Sequence, residues 1–309
     1  MNKIGIIGDL INNAYGRARR AWAAKSLEAY QELATLQVAG GSDYLDVNID
    51  NTNRVSVTKE EMLAFLPDLI PALQEVTSVP LCFDNPSFEF HQTALAAYDF
   101  SKSAPPIINS IAASRQRLDD IIGLIKQYNA SVIVIASEKF DGDTSSACVS
   151  AEEVYHTARI FVERLRNQAG LTNNQIFIDP GLPPVGADTQ GLVNMGLDAI
   201  KLIRADKDLE GIHISVGLSN FAWGIPKHLR ATMERAYLAV AGELGLDFSI
   251  SNPDHNPSPL PLDNPFVIGL KEALQEGRPA DGESIAEAGF RQASAILALV
   301  TEDDDDDDW

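Results

Sequence analysis

Five short apolar runs in this chain each end on an amide or a carboxylate: Tyr44-Leu45-Asp46-Val47-Asn48, Leu81-Cys82-Phe83-Asp84, Ile107-Ile108-Asn109, Ile176-Phe177-Ile178-Asp179 and Val216-Gly217-Leu218-Ser219-Asn220. Carboxylates accept hydrogen bonds from amino and amidic N–H groups, while asparagine both donates and accepts. Gathered in one place, such groups suit a neutral ligand rich in N–H donors and ring acceptors, a heterocycle such as a pterin, although sugars and amides fit the same set. Arg, Lys and His are scarce at these ends, so no strong clamp for a phosphate is offered. Taken singly, each Asp or Asn is equally well explained as a helix cap or a turn former. A shared role requires that the five ends converge.

Convergence requires parallel, neighbouring strands, and the pattern of the chain supplies them. Strand-like segments at 3–8, 44–49, 80–84, 105–111, 131–137, 175–181, 213–219 and 246–252 alternate with helical periodicity at 19–39, 59–76, 116–128, 151–169, 191–205, 229–244 and 266–300. Buried β-branched runs separated by helices imply right-handed crossovers and a parallel sheet. Eight such units predict a closed (β/α)8 TIM barrel, one domain over 1–301, with its active site at the carboxyl ends of the strands. An open doubly wound sheet would carry a glycine-rich phosphate turn after the first strand. The first turn instead reads Gly8-Asp9-Leu10-Ile11-Asn12-Asn13, with neither GxGxxG nor GxxxxGK[ST].

Composition narrows the partners. The 309 residues carry a formal charge of −20, of which Glu302 and the six aspartates of 303–308 supply seven. Nucleic acid is excluded as a natural partner, because binding it relies on clustered Lys and Arg; a cationic protein or a cation-bearing cofactor stays open. The segment 302–309 cannot bury apolar area and reads as an acidic, disordered tail. Cys82 and Cys148 form no CxxC pair, and the five histidines share no ligand spacing, so neither a disulfide framework nor a metal site is indicated. There is no basic leader followed by a long apolar stretch and no run of eighteen apolar residues, which predicts a cytoplasmic protein without a membrane partner.

The segments Ile6-Ile7-Gly8 through Ile11-Asn12, Leu45-Asp46-Val47-Asn48, Pro80-Leu81-Cys82-Phe83-Asp84, Asn109-Ser110, Ile178-Asp179-Pro180, Val216-Gly217-Leu218-Ser219-Asn220 and Arg235-Ala236-Tyr237-Leu238 occur in an order that resembles the pterin-binding methyltransferase family. That family includes methyltetrahydrofolate:corrinoid/iron-sulfur protein methyltransferases, the folate domain of cobalamin-dependent methionine synthase, and the tetrahydrofolate methyltransferase components of corrinoid-dependent O-demethylase systems. The resemblance implies a barrel that holds tetrahydrofolate or 5-methyltetrahydrofolate as substrate at its mouth. A homodimer and a docked partner protein carrying cobalamin are implied as well.

Carried over by motif, Asp84, Asn109 and Asp179 would bond the pterin ring, and Asn220 would sit beside N5, with Asn220 and Asp179 as the catalytic pair. Asn12, Asp46, Asn48, Gly217 and Ser219 would line or brace the same substrate-binding mouth. No metal site is implied.

The chain departs from the family in three places. It has Asp9-Leu10 where Glu-Arg is frequent, Ile111-Ala112-Ala113-Ser114 where an acidic residue is common, and Phe221-Ala222-Trp223-Gly224 where a glutamine is expected. These departures bear on methyl donor and direction. The reading favoured is transfer from a methylated corrinoid protein to tetrahydrofolate in a demethylation pathway. A dihydropteroate synthase-like enzyme is the alternative, and it needs a pyrophosphate site; the end of strand eight, Ser249-Ile250-Ser251-Asn252-Pro253, lacks basic residues for one. A folate-binding or corrinoid-docking module without catalysis is the third reading. Trp223 could stack on the ligand, face the corrinoid or pack its own loop, and Lys227 and Arg230 could meet the folate glutamate or simply be solvated.

Overall fold

The computed structural model describes residues 3–301; the acidic tail expected over 302–309 lies outside them. Along the chain run β1 (Gly5–Asn12), α1 (Gly16–Ala24), α2 (Leu27–Ala39), β2 (Tyr44–Asn48), α3 (Lys59–Val76), β3 (Leu81–Asp84), α4 (Phe88–Ala97), β4 (Ile107–Ile111), α5 (Leu118–Tyr128) and β5 (Ser131–Ile135). There follow β6 (Glu138–Asp141), β7 (Thr144–Ala147), α6 (Ala151–Ala169), β8 (Ile176–Asp179), α7 (Leu192–Ala205), β9 (His213–Gly217), α8 (Leu218–Phe221), α9 (Arg230–Leu244), β10 (Phe248–Ser251), α10 (Pro265–Glu276) and α11 (Ile285–Thr301). Eight strands close a barrel in the order β1-β10-β9-β8-β5-β4-β3-β2, paired in parallel throughout. This is the predicted (β/α)8 barrel.

Side chains of a strand alternate between its faces, so the barrel interior reads every second residue. Ile7, Cys82, Ile107, Ile133 and Phe177 make one buried cluster inside the barrel, with Tyr44, Phe248 and Ile250 packed on it. Phe177 and Phe248 meet edge to face at 5.0 Å between ring centroids, a favoured aromatic geometry. The intervening residues, Leu45, Val47, Phe83, Ile108, Val132 and Ile178 among them, lie in the larger outer cluster under the helices. Two residues beyond the inner cluster, on the same inward face, stand Asp9, Asp46, Asp84, Asn109 and Asp179. The apolar plug is therefore the floor on which the polar mouth rests.

Several elements differ from the sequence expectation. β1 continues past Gly8 to Asn12 with a register irregularity between Gly8 and Ile11, so Asp9 and Asn12 sit on a strand and not in a turn. The helix expected over 19–39 is two, because Lys25 adopts a left-handed φ of 48° and Ser26 opens α2 by accepting from the Ala29 amide. The helix expected over 266–300 likewise divides into α10 and α11. Ser219 and Asn220 belong to the short α8, which follows β9 directly. Like α8, α4 and the antiparallel β6–β7 hairpin, which lies outside the barrel, are additional.

Candidate functional site

A cavity of about 360 Å³ opens at the carboxyl ends of the barrel strands, within the size range of small-molecule sites. Asn12, Asp46, Asp84, Asn109, Asp179, Gly217, Ser219 and Asn220 all line it. Eight of the nine expected site residues thus meet in one place. The ninth, Asn48, stands behind the wall, where its amide donates to Asp84 Oδ2 at 2.9 Å and its own oxygen accepts from the Asp50 amide at 3.2 Å. It braces a lining carboxylate. In barrel order β9 lies across the mouth from β3, so Asn220 and Asp84 face each other over the opening, flanked by Asp179 and Asn109 along one arc.

Local structure fixes each group. Asp179 Oδ1 accepts from the Gly181 amide at 2.8 Å, so the turn after β8 holds the carboxylate by its own backbone. The Asn109 carbonyl accepts from the Asn85 amide at 3.0 Å, tying the ends of β3 and β4 together. Asn12 Oδ1 accepts from the Ala14 amide at 2.8 Å, so its turn-forming role and its place in the wall are both real. Gly217 is needed for space: a Cβ there would stand 3.1 Å from the side-chain nitrogen of Asn220. Asn220 itself is exposed at the rim.

The electrostatics are those of crowded, desolvated acids. Burial pushes Asp179 up to about 6, partly offset by the Gly181 amide, and pushes Asp84 up to about 6 against the pull of Asn48 and the nearby Arg115. Asp46 is fully buried with neither oxygen hydrogen-bonded; burial first, then the charges of Asp84 and Asp9, hold it well above the usual carboxylate range. Acids kept short of both water and cations bind N–H donors of a ligand as replacements for the missing solvation.

Two charged wall residues escaped the sequence reading. Asp9, 5 % exposed, accepts through Oδ2 from Tyr15 Oη at 2.9 Å and from Ser219 Oγ at 2.8 Å; an acid inside an apolar strand was its signal. Arg115 donates to the carbonyl of Ser110 at 3.0 Å and to its hydroxyl at 3.0 Å, and is the one cation among the described lining residues. Trp223 is 69 % exposed. Arg230 is engaged with the Ile225 carbonyl at 3.0 Å. His213 stacks on Phe177 at 4.6 Å and bonds Asp247 at 2.8 Å, at the floor end of the barrel and away from the mouth. A larger hollow of about 680 Å³ beside α7 and residues 277–285 has no convergent set of buried acids.

Comparison with known proteins agrees with this geometry. Residues 13–252 match the family described as "Pterin binding enzyme". The chain is 24 % identical over 250 residues to the methylcorrinoid:tetrahydrofolate methyltransferase of Eubacterium limosum, covering 80 % of this chain and 84 % of that protein. It is 22 % identical over 252 residues to the methionine synthase of Mycobacterium leprae, covering 79 % of this chain and 20 % of that one. In fold it resembles dihydropteroate synthase of Xanthomonas albilineans, with a TM-score of 0.55 at 20 % identity over 83 % of this chain and 90 % of the other. From strand order, wall residues and family match together, the chain belongs to the pterin binding enzymes.

Proposed function

We propose that this protein is a methyltransferase that passes a methyl group from a methylated corrinoid protein to N5 of tetrahydrofolate, as one step of a demethylation pathway. The observation that carries the reading is the acceptor-rich wall: Asp46 offers two unpartnered buried oxygens, and Asp84, Asn109 and Asp179 stand in the same cavity. The pterin of tetrahydrofolate presents an amino group and ring N–H groups to such a wall. Asp84, Asn109 and Asp179 hold the ring from one side, Asp46 lies deepest, and Asn12, Asn48, Gly217 and Ser219 shape or brace the mouth.

Asn220 faces Asp84 from the opposite rim, with Asp179 and Asn109 on the arc between them, and its amide orients N5 in either protonation state. The corrinoid, carried by the partner, supplies an electrophilic methyl group. This chain meets it at the open rim, where Asn220 and Trp223 are exposed. The name of the Eubacterium limosum relative supports the direction. A homodimer belongs to the same proposal, with Phe290 and Leu297, 73 % and 62 % exposed on α11, as apolar surface for two copies to share.

A synthase of the dihydropteroate type would need to hold pyrophosphate, and a wall of four aspartates with one arginine is suited instead to a donor-rich neutral ring. Calorimetry separates the two. Tetrahydrofolate should bind one per chain and lose affinity at least tenfold in Asp84→Asn, while a pterin pyrophosphate with 4-aminobenzoate yields no dihydropteroate. Turnover of that pair, or folate binding indifferent to Asp84, would overturn the reading.

A further inference from the structure

Asp9 is the one acid of the cavity wall that the roles above leave unused. Its two oxygens are treated unequally. Oδ2 takes both donors, Tyr15 Oη at 2.9 Å and Ser219 Oγ at 2.8 Å; Oδ1 is buried with no partner, in a residue that lines the cavity. Ser219 immediately precedes Asn220, so the bonded oxygen ties Asp9 to the turn that carries the residue assigned to N5. β1 stands midway between β9 and β3 in the barrel order, two strands from each, and it is the bond from Ser219 Oγ that commits Asp9 to the β9 side. The bare oxygen therefore belongs to the N5 edge of the ligand.

The groups facing Asp9 are Tyr15 from the loop after β1, Ser219 from α8, Asp46 from β2, Glu234 from α9 and His255 after β10. Glu234 and His255 are themselves paired at 2.8 Å. Burial raises Asp9 to about 6, and its two donors pull the other way. At neutral pH it is ionised yet able to hold a proton.

We propose that Asp9 accepts the N5 proton of tetrahydrofolate as N5 is methylated, with Tyr15 and Ser219 holding the carboxylate in place; this rests on the methyl-transfer reading above. In balance, the N5 lone pair forms the new N–C bond while the methyl group's bond to its corrinoid carrier breaks, that electron pair staying with the carrier. The N5–H bond breaks with its pair left on nitrogen, and the proton passes to Oδ1 of Asp9, from which mouth water removes it. Asp84 stands across the mouth from that edge, and Asp179, on the strand next to β9, has Oδ1 committed to the Gly181 amide and serves the ring.

The test combines a spectrum and a rate. Difference infrared spectroscopy of the unliganded protein, wild type against Asp9→Asn, should show a carboxyl that gains its proton as pH falls through about 6. Single-turnover methylation by methylcobalamin, with tetrahydrofolate saturating at every pH, should fall on the acid side of that value in the wild type. The acid limb should vanish in Asp9→Asn, with the rate down at least a hundredfold, and persist in Asp84→Asn. In Tyr15→Phe, which keeps the carboxylate and removes one donor, the limb should move to higher pH, and Asp9→Glu should recover part of the rate. A wild type that forms no methyltetrahydrofolate, from methylcobalamin and from a methylated corrinoid protein alike, overturns the methyl-transfer reading and this inference with it. A wild type that forms it, with an acid limb unchanged in Asp9→Asn and Tyr15→Phe, overturns this inference alone.

Discussion

Replacing Asp179 by Asn should stabilise the unliganded protein while weakening its ligand binding. Burial lifts this carboxyl from the usual 3.8 to about 6, which corresponds to a ceiling of about 3 kcal/mol of unfavourable free energy in the ionised folded state. Asp179 is only part-buried, since its outer edge reaches cavity water, so about 1–2 kcal/mol is the working figure after that exposure is allowed for. The folded state holds this proton more tightly than the unfolded one. The penalty is therefore absent below pH 3.8, grows as pH rises, and is complete above about 6.

The Asn side chain keeps an oxygen for the Gly181 amide and removes the charge. At pH 8 the variant should melt roughly 2–6 °C higher than the wild type, and near pH 4 the two should coincide. Calorimetric melting across that range is the assay. Tetrahydrofolate affinity at pH 8 should fall by about 1.5–3 kcal/mol, the usual worth of a hydrogen bond to a charged group. A variant less stable at pH 8, or a gain of equal size at pH 4 and pH 8, would show that Asp179 does not sit ionised and under-solvated in the mouth.

Asn220→Ala should slow methyl transfer at least tenfold more than it weakens folate binding; equal losses would remove Asn220 from N5. Gly217→Ala, whose Cβ would stand 3.1 Å from the Asn220 amide, should reproduce part of that loss in turnover with a circular dichroism spectrum unchanged. Because the ring holders accept N–H donors as carboxylates, folate affinity should decline as pH falls through about 6, and a flat profile from pH 5 to 8 would contradict that role. Phe177→Ala should cost about 3–5 kcal/mol in denaturant unfolding, since it empties the centre of the inner plug. Sedimentation velocity should find a dimer that Phe290→Asp converts to monomer.

The barrel was legible because its signal is repeated eight times, and no single misplaced boundary disturbs the alternation of buried strand and helix. Asp84, Asn109 and Asp179 were legible for a related reason: each follows a run whose period-two partner, Cys82, Ile107 or Phe177, lies in the inner plug. Asp9 was not, because an irregularity in register between Gly8 and Ile11 carries β1 beyond the point where its apolar run weakens. The break at Lys25 is set by a left-handed residue that is not glycine, and sequence does not mark such a position.

The β6–β7 hairpin had a signal in Asp141-Gly142, but its strands are polar and partly exposed and lack the apolar alternation by which the barrel strands were found. α4 is ten residues with buried Phe90, His91, Ala94 and Leu95 at helical spacing, a pattern too short to stand out by periodicity alone. Arg115 reaches the mouth from the loop after β4 through bonds to Ser110, a placement that depends on loop conformation and has no periodic trace.

The most direct measurement follows one methyl carbon. With 13C-labelled methylcobalamin, tetrahydrofolate and the protein in one tube, carbon NMR should show the label leaving the corrinoid and appearing on N5 of tetrahydrofolate, with no such transfer without the protein and a slower one with Asn220→Ala. Label that stays on the corrinoid, with methylcobalamin and with a methylated corrinoid protein alike, while calorimetry shows tetrahydrofolate bound in the mouth, would contradict the account.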